Sequence, residues 1–307
     1  MTDVIIETRN LTKTFGEGSI GVSGLDLSVR RRSVYGLIGR NGSGKTTAIR
    51  LLMGLIKPDQ GTATVLGENL WSSSRSTRSR VGYVSQTQHL PGWMSLADLQ
   101  RYTSHFFPHW NNRSFRNATQ EWALDWRQPV GRMSGGEQRK ATLLVALASN
   151  PDVLILDEPA AGLDSIARRA LVDSLIRTIS AQSNCTILLS THNISDLARI
   201  ATHIGLMDRG RIVRCETVDA LQQTTRRIQV IFPEEAPDTL LLPGLIRASK
   251  TGPVINAVCR LDNEQQLDFL YATQGVRVNV FPMGLEEIFL EMFDQSEITF
   301  QNGLNHQ

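Results

Sequence analysis

The 307-residue chain has no run of about 18 apolar residues, which excludes a membrane-spanning helix of ordinary length. It has only three cysteines, Cys185, Cys215 and Cys259, and they stand too far apart to suggest a disulfide framework or a metal-ligand spacing. Neither sign of charge dominates: 32 Lys and Arg face 30 Asp and Glu, and the net charge of +2 argues against a nucleic-acid-coating protein. The stretch from Met1 to Glu7 lacks both a basic start and a long apolar segment, so it does not read as a signal peptide. No internal repeat is visible, and low complexity is confined to Ser72-Ser73-Ser74-Arg75-Ser76. What remains, 41% hydrophobic and 20% charged, is the composition of a soluble globular chain in a reducing compartment. Its length suggests about two domains.

The hydrophobic pattern divides the chain. Val34–Ile38, Val81–Val84, Val153–Leu156 and Thr186–Leu189 are short, continuous apolar runs, the pattern of strands buried on both faces of a parallel sheet. Between them, stretches such as Thr46–Leu55 and Ala167–Ser180 carry apolar residues at helical spacing and read as crossover helices. Residues 1–216 are therefore expected to be α/β with a mostly parallel core. Val4–Thr8 and Gly24–Val29 alternate, which predicts an antiparallel sheet beside that core. The window 93–126 concentrates aromatics, including four of the five tryptophans (Trp93, Trp110, Trp122 and Trp126). From Thr217 onward, strand patterns (Arg227–Phe232, Arg277–Val280), helical patterns (Asn263–Ala272, Gly284–Phe293) and scattered prolines predict a small α+β domain over 217–307.

Three motifs carry chemistry. Gly39-Arg40-Asn41-Gly42-Ser43-Gly44-Lys45-Thr46 follows a predicted strand and opens a predicted helix. Its glycines let successive N–H groups converge on phosphate oxygens, and the helix N-terminus adds its dipole. In such a loop Lys45 meets the β- and γ-phosphates, and the Thr46 hydroxyl holds Mg²⁺. Downstream, Val153–Leu156 delivers Asp157 and Glu158 to the end of a strand, where parallel sheets bind ligands. Asp157 suits a magnesium shell, and Glu158 suits a general base acting on water. Third, Ser134-Gly135-Gly136-Glu137 begins another predicted helix and is a second anion-binding design. One chain binding one nucleotide has no need of two such sites, unless the second closes over the nucleotide of a partner subunit.

The P-loop, Gln86, Ser134-Gly135-Gly136, Asp157-Glu158, Asp164 and His192, in that order, resemble the motif set of an ATP-binding cassette (ABC) ATPase over residues 4 to about 216. The resemblance implies a P-loop NTPase core with an antiparallel β subdomain and a helical subdomain at about 87–133. It implies ATP and Mg²⁺ as ligands. Gly39, Asn41, Gly42, Ser43, Gly44, Lys45, Thr46 and Thr47 would hold the nucleotide, with Phe15 stacked on adenine. Thr46, Gln86 and Asp157 would surround the metal. Glu158, Gln86 and His192 would serve catalysis, His192 as a switch reaching the γ-phosphate. Ser134, Gly135, Gly136, Glu137 and Asp164 would act across a head-to-tail dimer. Glu137 departs from the family pattern, which usually has glutamine there.

A single cassette without a spanning helix resembles the ATPase subunit of a transporter, docked on a separately encoded membrane permease at the cytoplasmic face. Such a subunit works as a homodimer, or as a heterodimer with a second cassette. Phe106-Phe107-Pro108-His109-Trp110 and the C-terminal domain resemble exporters of drugs and antibiotic peptides more than importers. A soluble ABC ATPase acting on ribosomes or DNA is a second reading, and a non-transporting regulator a third. The aromatics of 93–126 fit either the core of the helical subdomain or a surface that meets the permease. Arg30-Arg31-Arg32 and Arg226-Arg227 have no aromatic platform beside them, so no nucleic acid is expected.

Overall fold

The computed structural model describes residues 3–87, 90–181 and 184–293, and these form two compact units that divide between Cys215 and Glu216. In the first unit the strands are β1 (Val4–Thr14), β2 (Ile20–Arg30), β3 (Val34–Ile38), β4 (Gln60–Val65), β5 (Val81–Val84), β6 (Val153–Asp157), β7 (Thr186–Thr191), β8 (His203–Asp208) and β9 (Arg211–Thr217). The division thus falls inside β9.

Six of these strands form one sheet in the order β5-β6-β7-β3-β8-β9. The pairings β5–β6, β6–β7, β7–β3 and β3–β8 are all parallel. Every residue of β3, β6 and β7 is buried, as continuous apolar runs require. β8 turns into β9 through Arg209 and Gly210, both at positive φ, the geometry of a tight hairpin. The predicted second sheet is also present: β1 lies between β2 and β4, antiparallel to both. The helix Lys45–Leu52 buries Ala48, Ile49 and Leu52 in one core with Ile6, Leu25 and Ile155, which joins the two sheets through that helix. At the end of β1, Asp59 accepts from the Thr14 N–H at 2.7 Å and pairs with Lys13 at 2.7 Å. These donors pull its carboxyl down to about 2, and they fix the strand end that leads into Phe15.

The aromatics of the window 93–126 divide between buried and exposed. Ser95 and Asp98 form a reciprocal cap on the helix Leu96–Thr103, and Asn111 caps Asn112–Glu121. Phe115 is fully buried, its ring 5.3 Å from that of Trp110 and 5.9 Å from that of Trp126, and Trp122 is buried as well. Trp93, by contrast, is 75% exposed, and Tyr102 and Phe106 are also exposed. The third helix here, Gly135–Ala148, starts at Ser134.

The second unit contains β10 (Thr225–Ile231), β11 (Leu245–Thr251), β12 (Val254–Arg260) and β13 (Arg277–Pro282), in one antiparallel sheet of order β11-β12-β10-β13. Ile228, Val230, Ile255 and Cys259 from one face pack with Leu267 and Leu270. Asn263–Ala272 is not the continuous helix its pattern predicts. It is a 3₁₀ turn, Glu264–Leu267, followed by the short helix Asp268–Tyr271. The helix Leu285–Phe293 follows β13.

The burial of the aromatics sets a test. Phe115→Ala removes a fully buried ring and should destabilise the protein by about 3–5 kcal/mol. Trp93→Ala removes a solvated one and should change stability by less than about 0.5 kcal/mol. Urea denaturation followed by circular dichroism measures both, and equal losses would contradict the division of this window into core and surface.

Candidate active site

Neighbouring strand ends assemble the site. β5, β6, β7 and β3 are adjacent and parallel, so the segments after them emerge side by side. After β3 comes the loop Gly39–Gly44, after β6 Glu158, after β7 His192, and after β5 Gln86. A cavity of about 390 Å³ lies between them, lined by Phe15, Ser19, Ile20 and Gly21, by Asn41 to Thr47, and by Gln86, Glu158 and His192.

The loop requires glycine at two positions for different reasons. Gly44 has φ of 104°, and a Cβ there would also lie 2.2 Å from the Gly21 carbonyl oxygen. A Cβ on Gly39 would lie 2.3 Å from Ser43 Oγ and 2.4 Å from the Met207 carbonyl oxygen. The loop is further held by Gly210 N–H donating to the Ser43 carbonyl at 2.8 Å. Lys45 is buried, and its Nζ donates to the carbonyls of Gly39 at 2.7 Å and Arg40 at 3.3 Å. The same Nζ stands 3.6 Å from Glu158 Oε1.

The acidic pair is buried at the end of β6, Asp157 fully and Glu158 almost so. Asp157 Oδ1 accepts from Ser190 Oγ at 2.6 Å and from Thr46 Oγ1 at 3.2 Å. Its other oxygen, Oδ2, is buried without a hydrogen-bond partner. A carboxylate oxygen left unpaired beside a threonine hydroxyl is a hard-oxygen donor set that fits Mg²⁺. Glu158 has φ of 49°, a conformation that non-glycine residues seldom adopt and that clusters at functional sites. Its N–H donates to the Ser190 carbonyl and hydroxyl, each at 3.1 Å. Its carboxylate Oε2 lies 2.9 Å from His192 Nδ1.

Phe15 is 46% exposed at the cavity wall, so it is not a core residue. An exposed ring there offers a flat face to a planar ligand. Gln86 lines the cavity, and its backbone carbonyl accepts from Arg139 Nη2 at 2.8 Å. Arg139 also donates to the Ser85 carbonyl at 3.1 Å, and so ties the segment after β5 to the helix Gly135–Ala148.

The remaining predicted residues are not at this cavity. Ser134 caps the helix Gly135–Ala148: its Oγ accepts from Glu137 N–H at 3.3 Å, and its own N–H donates to Glu137 Oε2 at 2.7 Å. The backbone donor at Ser134, followed by its hydroxyl, lowers the Glu137 carboxyl below its ordinary range. Gly135 borders a separate cleft with Leu90, Gln138, Arg139, Ala161, Gly162 and Leu163, and Gly136 lies 3.7 Å from Leu163 when given a Cβ. Asp164 accepts from the N–H groups of Ile166 at 2.9 Å and Ala167 at 2.8 Å, at the start of the helix Ser165–Ala181. Sequence reasoning missed Ser190, Ile20 and Arg139. Ser190 stands two residues before His192, near the end of β7. Ile20 precedes a glycine and is 57% exposed, an exposure no sequence pattern encodes.

Comparison with known proteins agrees with this geometry. Residues 22–161 match the family model described as ABC transporter. The chain is 33% identical over 303 residues to the Nod factor export ATP-binding protein I of Ralstonia nicotianae, covering 94% of this chain and 93% of that protein. It is 29% identical over 225 residues to the bacitracin transport ATP-binding protein BcrA of Bacillus licheniformis, covering 73% of each. In fold it is similar to the solved ATP-binding subunit of an ABC transporter, with a TM-score of 0.63 and 24% identity over 71% of this chain and 92% of that one. A dimeric bacterial ABC transporter cassette gives a TM-score of 0.61 and 21% identity over 70% of this chain and 99% of that one. A glycine-rich loop with Glu158 and His192 beside it, and a likeness that runs nearly the full length of an export ATP-binding protein, place this chain in the ABC transporter family as an ATP-binding subunit.

Proposed function

We propose that the protein hydrolyses ATP to ADP and phosphate at composite sites between two cassettes, and that this drives export through a separately encoded membrane permease. The observation that carries the reading is the buried Glu158 carboxylate, aimed at the P-loop cavity between Lys45 and His192. In this reading Glu158 takes a proton from the attacking water. His192 holds that carboxylate in position and reaches the γ-phosphate. Lys45, released from the Gly39 and Arg40 carbonyls, neutralises the β- and γ-phosphate oxygens. The N–H groups of Asn41 to Thr47 cradle the phosphates, and Phe15 stacks on the base. Thr46 and Asp157, with Gln86, would hold Mg²⁺, which when bound offsets charge on the phosphate oxygens.

Ser134, Gly135, Gly136 and Glu137, together with Asp164, belong to a surface away from their own cavity, which suits a head-to-tail dimer in which each loop closes over the partner's nucleotide. Among the described residues no helix is long and apolar enough to cross a membrane, so transport requires a partner that does. The exposed Trp93, Tyr102 and Phe106 supply an aromatic surface for that permease, with the protein at its cytoplasmic face. Export is favoured by relatives named for Nod factor export and bacitracin transport. Residues 217–307 act in this reading as an accessory, regulatory domain.

Two experiments test the reading. Glu158→Gln should retain ATP binding while turnover falls by roughly 10²–10⁴-fold, with the ATP-bound dimer accumulating; turnover within twofold of the parent would refute the assignment of Glu158 as base. Lys45→Ala and Ser134→Arg should each abolish hydrolysis, by emptying the cradle and by blocking the loop that closes over the partner. Mixed together they should recover part of the activity, because one composite site then combines two intact halves. Mixed dimers that form but stay inactive would rule out the composite site.

A further inference from the structure

The sheet of the second unit ends in two unlike edges. β11 carries a register irregularity between Leu245 and Arg247, and the helix Leu285–Phe293 packs against it, with Arg247 paired to Glu291 at 3.5 Å. Bulges and covering helices are the usual ways in which an edge is closed to further pairing. β13 has neither. Its six residues run in unbroken register against β10, from Arg277 opposite Ile231 to Pro282 opposite Arg226. Among the described residues its N–H and C=O groups have no recorded partner beyond β10.

The side chains of β13 alternate in a way that is complementary to itself. Val278 and Val280 point to the apolar face and pack on the core of the unit. Arg277, Asn279 and Phe281 are exposed on the other face. Phe281 is 45% exposed, and Arg277 makes no ion pair among the described residues. Asn279 ends a polar row: its Nδ2 donates to Gln229 Oε1 at 3.3 Å, and Gln229 Nε2 donates to Asn256 Oδ1 at 3.2 Å.

We propose that β13 pairs antiparallel with β13 of a second copy of this chain, about a two-fold axis at Asn279, so that the two sheets become continuous. In that register Asn279 faces the partner's Asn279 and extends the amide row across the junction. Each Arg277 faces the partner's Phe281, which gives two cross-strand cation–aromatic pairs. Each Val278 faces the partner's Val280 and continues the apolar layer. A register displaced by one residue loses all three matches, because every side chain changes face. Five residue pairs within β13 are too few for a stable dimer alone. The pairing therefore rests on the cassette dimer proposed above for its strength, where it becomes an intramolecular event, but not for its geometry.

Cysteine cross-linking in the full chain tests the register, with Cys215→Ser as background. Cys185 and Cys259 are buried, which pushes both thiols up to about 12 and leaves them inert. Under mild oxidation, with Glu158→Gln also present and ATP added, the Asn279→Cys variant should form a covalent dimer. The Arg277→Cys variant should not link to itself, because the two positions lie about 13 Å apart across the axis, beyond disulfide reach. Mixed with the Phe281→Cys variant it should cross-link. Thermal melts show that each variant is folded. Without cysteines, Arg277→Glu should weaken the dimer measured by sedimentation about fivefold to thirtyfold. No link through position 279, or self-linking at 277 as efficient as at 279, overturns the pairing, as does unchanged dimer affinity in Arg277→Glu. A dimer seen by sedimentation without the link refutes the β13 contact alone; no ATP-dependent dimer at all refutes the cassette dimer as well.

Discussion

The site depends on keeping two adjacent carboxylates out of water at the end of one apolar strand. Asp157 and Glu158 are both buried, and one lysine ammonium, Lys45, is buried with them. A buried charge is tolerated only when it is paired and hydrogen-bonded. Ser190 answers most of this need: its hydroxyl donates to Asp157, while its carbonyl and hydroxyl oxygens accept from the Glu158 N–H. Those contacts also hold Glu158 in its left-handed backbone conformation, with its carboxylate beside Lys45 and His192. One ammonium facing two carboxylates still leaves negative charge in excess, and Asp157 Oδ2 is the atom left without a partner. The divalent cation proposed for this site would supply what is missing there.

The order of strands turns distant sequence motifs into one cavity. β3 and β6 are separated by more than a hundred residues, yet only β7 lies between them in the sheet. The same order places Gln86 beside Glu158, since β5 pairs with β6. Arg139 then carries this constraint outward. Half-buried, and with its guanidinium pulled below its usual range by that burial, it spends its donors on the carbonyls of Ser85 and Gln86. A shift of the helix Gly135–Ala148 therefore acts on Gln86 directly, so the loop proposed to meet a partner's nucleotide is mechanically joined to a residue proposed to meet its own.

Much of this was legible in the sequence, because the requirements there are local. Only glycine meets the φ of 104° at Gly44 or the close approach at Gly39, so the loop announces itself. Four aliphatics before two acids describe a buried strand that ends in a ligand site. The parts that stayed hidden depend on contacts between elements. The aromatics of 93–126 share one composition, but Phe115 sits inside a ring cluster and Trp93 in solvent, and neither spacing nor residue type separates them. The pattern over Asn263–Ala272 is helical in period but includes an early 3₁₀ turn, since Asn263 gives the segment no side-chain cap. Ser190 looks like any small residue at a strand end until β7 is placed beside β6.

Glu137 shows how a departure from a family pattern can follow from local physics. At the third position of the helix, glutamate and glutamine can both accept the Ser134 N–H and complete the reciprocal cap. The carboxylate does so more strongly, because its charge also meets the positive end of the helix. That favours a rigid Ser134-Gly135-Gly136 loop. The same charge, however, lies beside the surface proposed to receive a phosphate, where it opposes an anion. Ser134 is drawn into the same cap: its oxygen accepts from the Glu137 N–H, and its hydroxyl also meets the Glu137 carboxylate. Glutamate at this position thus exchanges some attraction for the partner's phosphate for a more rigid loop.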